Sequence, residues 1–156
     1  MRSHLFAAVV GVSALVACSG TSVPDPPSVS GTWDFTYSSV SSQTITCHGK
    51  LKIAITQTGE DFTGQQVGAG IVGCAGATPA LTTIAANDTD LVLGNEVLHA
   101  GRSDNGDVAF VLEELQTQDH GSLTSSTTMS GTSTWTLPVE PAGSVILHGN
   151  WTATKE

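Results

Sequence analysis

Gly31-Thr32-Trp33-Asp34-Phe35-Thr36-Tyr37 alternates polar and aromatic side chains one for one. In an extended chain successive side chains point to opposite faces. Trp33, Phe35 and Tyr37 therefore share one face, and Thr32, Asp34 and Thr36 the other. That period of two marks a half-buried strand. The same alternation returns in Leu51, Ile53 and Ile55, set against Lys50, Lys52 and Ala54. It returns again in Val108, Phe110 and Leu112, and in Val145, Leu147, Gly149, Trp151 and Ala153. His120 to Thr124 and Met129 to Leu137 form a Ser/Thr-rich pair of strands. Turn signals separate these runs: Thr58-Gly59-Glu60, Gly94-Asn95, Pro138 to Gly143, and above all Ser103-Asp104-Asn105-Gly106. Residues 66–79, rich in Gly and small side chains, read as a long connection. Ala80 to Ala86 fits a strand or a short helix. No long stretch has a helical period. The expected class is all-β: an antiparallel up-and-down meander of eight or nine strands, closing into a barrel of about eight because closure removes both exposed edges.

The charge balance excludes one class of partner. The chain has 156 residues, with 14 Asp and Glu against 5 Lys and Arg, a net charge of −9. Past residue 17 the only cations are Lys50, Lys52, Arg102 and Lys155. Nucleic acid is not an expected partner, since phosphate binding needs a basic patch. The acidity fits solubility. Abundant Thr, Ser and Gly suit strands and turns, and the length suits one domain.

The N-terminal segment has its own logic. Arg2 precedes an apolar stretch from Leu5 to Val16. That stretch is shorter than the roughly 20 residues a spanning helix needs, and it reads as a secretory signal. It ends in Leu15-Val16-Ala17-Cys18, which resembles the lipobox of bacterial lipoproteins. The resemblance implies a signal peptide over residues 1–17, removed on export, and diacylglycerol and palmitate on Cys18. Two or more acyl chains hold a protein stably on a bilayer where one is marginal. Residues 18–28 include Pro24, Pro26 and Pro27 and form a semi-rigid tether that lifts the domain of residues 29–156 by ~30 Å. The implied location is the bacterial cell envelope, with the membrane as partner through the lipid. With Ser19 rather than Asp after the Cys, it is the outer membrane if the cell is Gram-negative.

Cys47 and Cys74 remain after Cys18 is lipidated, an even pair in an exported chain, and a disulfide is expected. Closing a loop of that length stabilises by roughly 3–4 kcal/mol in the chain-entropy account. A metal site is the rival reading, but His48 beside Cys47 has no second ligand cluster at zinc spacing.

Three segments carry Gly a short step before Trp: Gly31-Thr32-Trp33, Gly131-Thr132-Ser133-Thr134-Trp135, and Gly149-Asn150-Trp151. Period two places each Gly on the face of its own Trp, and a small residue beside a large ring suits a tapered barrel interior. If the first and last strands pair, Trp33 and Trp151 are expected near the same end. An opening strand with Gly-x-Trp and a meander of short strands resembles the calycin superfamily, which includes lipocalins and avidins. The likeness spans residues 30–154 in pattern and a few residues in motif. Lipocalins usually place an Arg of the last strand over the first Trp; here Lys155 is the cation available. The polar biotin contacts of avidins do not map onto this chain. It looks closer to small bacterial lipoproteins with lipocalin-like barrels.

Catalytic signals are weak. There is no Gly-x-Ser-x-Gly, phosphate loop or His-Glu-x-x-His. Glu60-Asp61 and Glu113-Glu114 are adjacent, so in strands they point to opposite faces. Asn87-Asp88-Thr89-Asp90 and Asp104-Asn105-Gly106-Asp107 fall short of a calcium loop, and His99, His120 and His148 are scattered. The expectation is a non-enzymatic, envelope-anchored barrel with no cofactor or metal that binds a small apolar ligand. Trp33, Phe35, Leu51, Ile53, Phe110, Trp135 and Trp151 are expected to line its interior. The alternative is an interaction or inhibitor module for an envelope protein, such as a protease or lysozyme inhibitor, using the Gly-rich segment 66–79 braced by Cys47–Cys74.

Overall fold

Every alternating run becomes a strand. The computed structural model describes residues 27–76, 91–138 and 143–156. The signal segment, Cys18, Pro24, Pro26 and residues 80–90 lie outside the described residues. The strands are β1 (Gly31–Ser41), β2 (Ile45–Thr58), β3 (Asp61–Gln66), β4 (Gly70–Gly76), β5 (Leu91–Leu93), β6 (Val97–Asp104), β7 (Asp107–Leu112), β8 (Thr117–Ser125), β9 (Thr128–Pro138) and β10 (Ser144–Lys155). All pairings are antiparallel, and β1 pairs with both β2 and β10, which closes the sheet.

Eight strands close the barrel, and β4 and β5 extend its wall. One edge of β2 takes β3 along Ile53–Thr58 and β4 along Ile45–Lys50. β3 and β4 are thus one strand interrupted at residues 67–69, where Gly68 takes a φ of +74° and the Val67 amide donates to the Lys52 carbonyl. β6 pairs with β3 and β5 with β4, so β5 and β6 are likewise one strand interrupted at Gly94–Glu96. Two expectations change here. Residues 70–76, read as part of a connection, are strand β4; its small residues hide the alternation that buries Gly70, Val72 and Cys74. Gly94-Asn95 is a break within a wall strand and not a chain reversal. Asn105 and Gly106, at φ +51° and +93°, make the expected hairpin turn. Gly59, at +64°, turns β2 into β3.

The interior is built in layers. At one end Trp33 donates its indole N–H to the Val29 carbonyl (2.7 Å), and Lys155 Nζ stands 5.7 Å from the Trp33 ring centre. Pro27 and Lys155 border one hollow at this end, and Glu156 bonds back to Thr32. We call this the terminal end. Next comes an aromatic cluster: Phe110 lies 5.6 Å from Phe35 and 5.3 Å from Trp151, with Phe62 beside it at 6.2 Å. Beyond it, toward the far end, Tyr37 and Trp135 meet edge to face at 5.4 Å. Offset and edge-on ring pairs of this kind add to the burial energy of the rings themselves.

The glycines serve the tryptophans differently from the sequence reading. Trp151 sits opposite Gly131, which sits opposite Gly121, and any side chain at Gly121 would run into the Trp151 ring. The space for Trp151 therefore comes from neighbouring strands. Gly149 instead lets β1 approach at Ser39–Val40. Trp151 also contacts Phe35 (5.7 Å), which places it one layer deeper than Trp33. Cys47 and Cys74 face each other across β2 and β4, with Cα atoms 4.0 Å apart, and form the disulfide.

Ala100 has a φ of +49° where the register of β6 shifts against both neighbours. A side chain in the left-handed region costs about 1–2 kcal/mol. Ala100→Gly is therefore expected to stabilise by up to about 1 kcal/mol after the added chain entropy of Gly. A urea midpoint raised without a change of slope supports this; a lowered midpoint contradicts it.

Candidate functional site

Strand β8 lacks an apolar face over its first half. Thr117, Asp119 and Gly121 point inward, and Gln118 and His120 outward. A closed barrel must then take polar groups into its core. Asp119 is opposite Phe110 on β7 and Ser133 on β9. Tyr37 reaches toward it from β1, and Thr117, Asp119 and Tyr37 are fully buried, with Ser133 nearly so.

The bonding inside this group is incomplete. Thr117 Oγ1 donates to Asp119 Oδ2 and accepts the Leu112 amide at 3.2 Å. Trp135 Nε1 donates to Ser133 Oγ at 2.9 Å. The Tyr37 hydroxyl and Asp119 Oδ1 make no hydrogen bond of ordinary geometry, yet the Tyr37 and Ser133 hydroxyls stand close enough to act on the Asp119 carboxylate. Such atoms are uncommon in folded proteins, because an unpaired buried polar group costs a few kcal/mol. Burial pushes the Asp119 carboxyl up to about 6, against the opposing pull of the Thr117, Ser133 and Tyr37 hydroxyls. Burial, then the charges of Asp119 and Glu96, push the Tyr37 phenol well above its usual range, so it keeps its proton.

Among the described residues Glu96 is the second buried carboxylate, and its oxygens are occupied. Oε1 accepts the amides of Val97 (3.2 Å) and Glu114 (2.9 Å), and Oε2 that of Leu115 (3.0 Å). It ties the β5–β6 break to the turn between β7 and β8. Burial raises its pKa while these amides lower it. Glu96 is met by backbone amides, Asp119 by side-chain hydroxyls.

The residues expected to line the interior all do face it. Trp33, Phe35, Leu51, Ile53, Phe110, Trp135 and Trp151 are all at most 4% exposed and belong to one packed core. Around Phe35, Phe110 and Trp151 the rings fill the barrel with each other. Of the seven, Trp135 lies beside the polar group. The terminal end is covered by Trp33, Val29 and Lys155, and Asp119 itself is fully buried. Sequence reading missed Tyr37, Thr117, Asp119 and Ser133 as a set. The available signal was Thr117-Gln118-Asp119-His120, in which both alternating faces are polar.

The outer surface carries ordinary chemistry. Glu60 pairs with Arg102 at 2.7 Å, and His99 Nε2 lies 2.9 Å from Glu113. His148 Nδ1 lies 3.2 Å from Thr134, and Lys52 pairs with Asp34 and Glu156. An open groove of about 660 Å³ runs past Asp34, Lys50, Lys52, Val67 and Ile71. Among the described residues, no three His, Cys, Asp or Glu gather as a metal site.

No family model matches the chain, and no curated protein or solved structure matches it. What the structure itself shows is a closed eight-stranded antiparallel barrel, consistent with a lipocalin-like barrel.

Proposed function

We propose that this protein is a lipid-anchored, non-enzymatic barrel of a bacterial cell envelope that holds a small ligand in the far half of its interior. One observation carries the ligand reading: a carboxylate, Asp119, and a phenol, Tyr37, are buried together inside the barrel with only hydroxyl groups acting on the carboxylate. Groups placed at that cost inside a closed fold are commonly kept for a partner that arrives later. The wholly apolar ligand expected from the sequence fits less well, because the aromatic layer is already filled by its own rings. A ligand with an apolar body against Tyr37 and Trp135 and a polar group at Asp119 fits better. Native mass spectrometry of protein purified gently from its own cells tests the reading. A retained small molecule that is lost in Asp119→Leu supports it, and a bare polypeptide mass in every preparation counts against it.

Support for anchoring is the lipobox-like Leu15-Val16-Ala17-Cys18 and its apolar leader. Cells fed labelled palmitate should label the wild-type chain and not Cys18→Ala. Labelling that survives this change would place the lipid elsewhere or remove it from the account.

The alternative, an interaction or inhibitor module, draws on a different observation. Val67, at the break between β3 and β4, is 45% exposed, and Val92 on β5 is 72% exposed. Stoichiometric capture of one envelope protein by the immobilised mature domain, abolished by Val92→Glu, would favour it.

A further inference from the structure

We propose that β4 and β5 form a flap at the far end of the barrel, latched by the Cys47–Cys74 disulfide, and that the eight-stranded barrel stands without it. The ring of strands is closed by the β3–β6 and β1–β10 ladders, neither of which uses β4 or β5. Among the described residues β4 pairs only with β2 and β5, and β5 only with β4. Both leave the wall at one level, β4 after residues 67–69 and β5 before Gly94–Glu96. Gln66 stitches that level together. Its Nε2 donates to the carbonyls of Gly68 (2.9 Å) and Leu93 (2.7 Å), and its Oε1 accepts the Glu96 amide (2.9 Å). Glu96 in turn holds the turn between β7 and β8. The hinge line is thus fixed to the barrel, and everything beyond it hangs on one edge of β2.

That hold is weak apart from the bond. Gly70, Gly73, Ala75 and Gly76 give β4 little side chain to grip with, and glycine regains the most backbone freedom on release. Val72 is its main apolar contact: a side chain at Gly49 would meet both a Val72 methyl and the Trp135 ring. The flap therefore covers Trp135, and Leu91 and Leu93 of β5 pack on the core only in part. Segments with so few buried contacts open ahead of the rest of a fold. The latch sits within the β2–β4 ladder, where Cys47 faces Cys74. Both cysteines are fully buried, so no oxidant reaches them while the flap is shut. The bond forms from the open flap: the two thiols give two protons and two electrons to a disulfide-class oxidant, which leaves as thiols. Closure then seals the sulfurs from reductant.

Amide hydrogen exchange of the full chain, read peptide by peptide, tests this in three forms: oxidised wild type, wild type refolded in dithiothreitol, and Cys47→Ala/Cys74→Ala. In the oxidised chain β4 should exchange within about ten-fold of β9 and β10. In both unlatched forms β4 and β5 should exchange about 100-fold faster than β9 and β10 of the same molecule. Iodoacetamide should label Cys47 and Cys74 of the reduced chain while β9 and β10 stay protected, and oxidised glutathione should restore both the bond and the protection of β4. The reduced wild type decides the matter if the alanine pair fails to fold. Equal loss of protection in every strand, or a reduced chain that does not fold, would make the bond a support of the whole barrel and overturn the proposal. A β4 as protected as β9 and β10 without the bond would overturn it too.

Discussion

Trp151→Ala is expected to destabilise the domain by about 3–5 kcal/mol, the range for deleting a large buried ring from a core that cannot collapse around the gap. The ring is 1% exposed. It touches Phe35 and Phe110, fills the space left by Gly121, and donates its indole N–H to the Thr132 carbonyl at 3.0 Å. A closed hydrogen-bonded wall resists inward movement, so the vacated volume persists as a cavity. Denaturant unfolding of wild type and variant measures the loss. The control is Ile146→Ala on the outer wall, at 53% exposure, where a change within about 0.5 kcal/mol is expected. A Trp151→Ala loss below about 1 kcal/mol would mean that the ring borders empty space. The aromatic layer would then be the hollow ligand chamber that its packing argues against.

Asp119→Asn is expected to act in the opposite direction, and only above mildly acidic pH. An unfolded Asp titrates near 3.9, while burial holds Asp119 at about 6 in the folded chain. A carboxyl raised on folding binds its proton more tightly when folded. Its stabilising contribution is complete below about pH 4 and is lost as pH rises through about 6. The difference amounts to about 2–3 kcal/mol. Glu96, also raised by burial, works in the same sense, and the phenol of Tyr37 stays protonated throughout. The wild-type domain should therefore be more stable at pH 5 than at pH 7.5. Asparagine keeps an acceptor for the Thr117 hydroxyl and carries no charge. At pH 7.5 the variant should exceed wild type by about 2 kcal/mol, and at pH 4 the two should converge. A group that costs stability and is retained for binding would show this trade. If Asp119→Asn is instead less stable than wild type at pH 7.5, the carboxylate is a structural acceptor whose partners have been undercounted.

The alternation of Trp33, Phe35 and Tyr37 made the wall legible before any coordinates, because one greasy face per strand requires a covered side. Asn105-Gly106 was legible because the turn needs two residues with positive φ. Cys47 and Cys74 were legible because two thiols remain once Cys18 is set aside for the expected lipid. Strand β4 was not, since Gly70, Gly73, Ala75 and Gly76 carry too little side chain to show a period. Nor was the collinear break at Gly94–Glu96, whose residues look like any turn. The polar interior was hidden for a different reason. In Thr117-Gln118-Asp119-His120 both faces are polar, so alternation cannot say which one turns inward. That choice is made by closure of the whole barrel, which sets Asp119 against Phe110 and Ser133.

The most direct measurement is carboxyl carbon NMR on the ligand-free domain, following Asp119 from pH 3 to pH 8. A carboxyl sealed inside the barrel, raised by burial against the pull of its hydroxyl neighbours, should titrate near pH 6. A midpoint at or below the ordinary value of about 3.9 would mean that Asp119 is fully satisfied by its own fold, and that its burial is not held at a cost in stability.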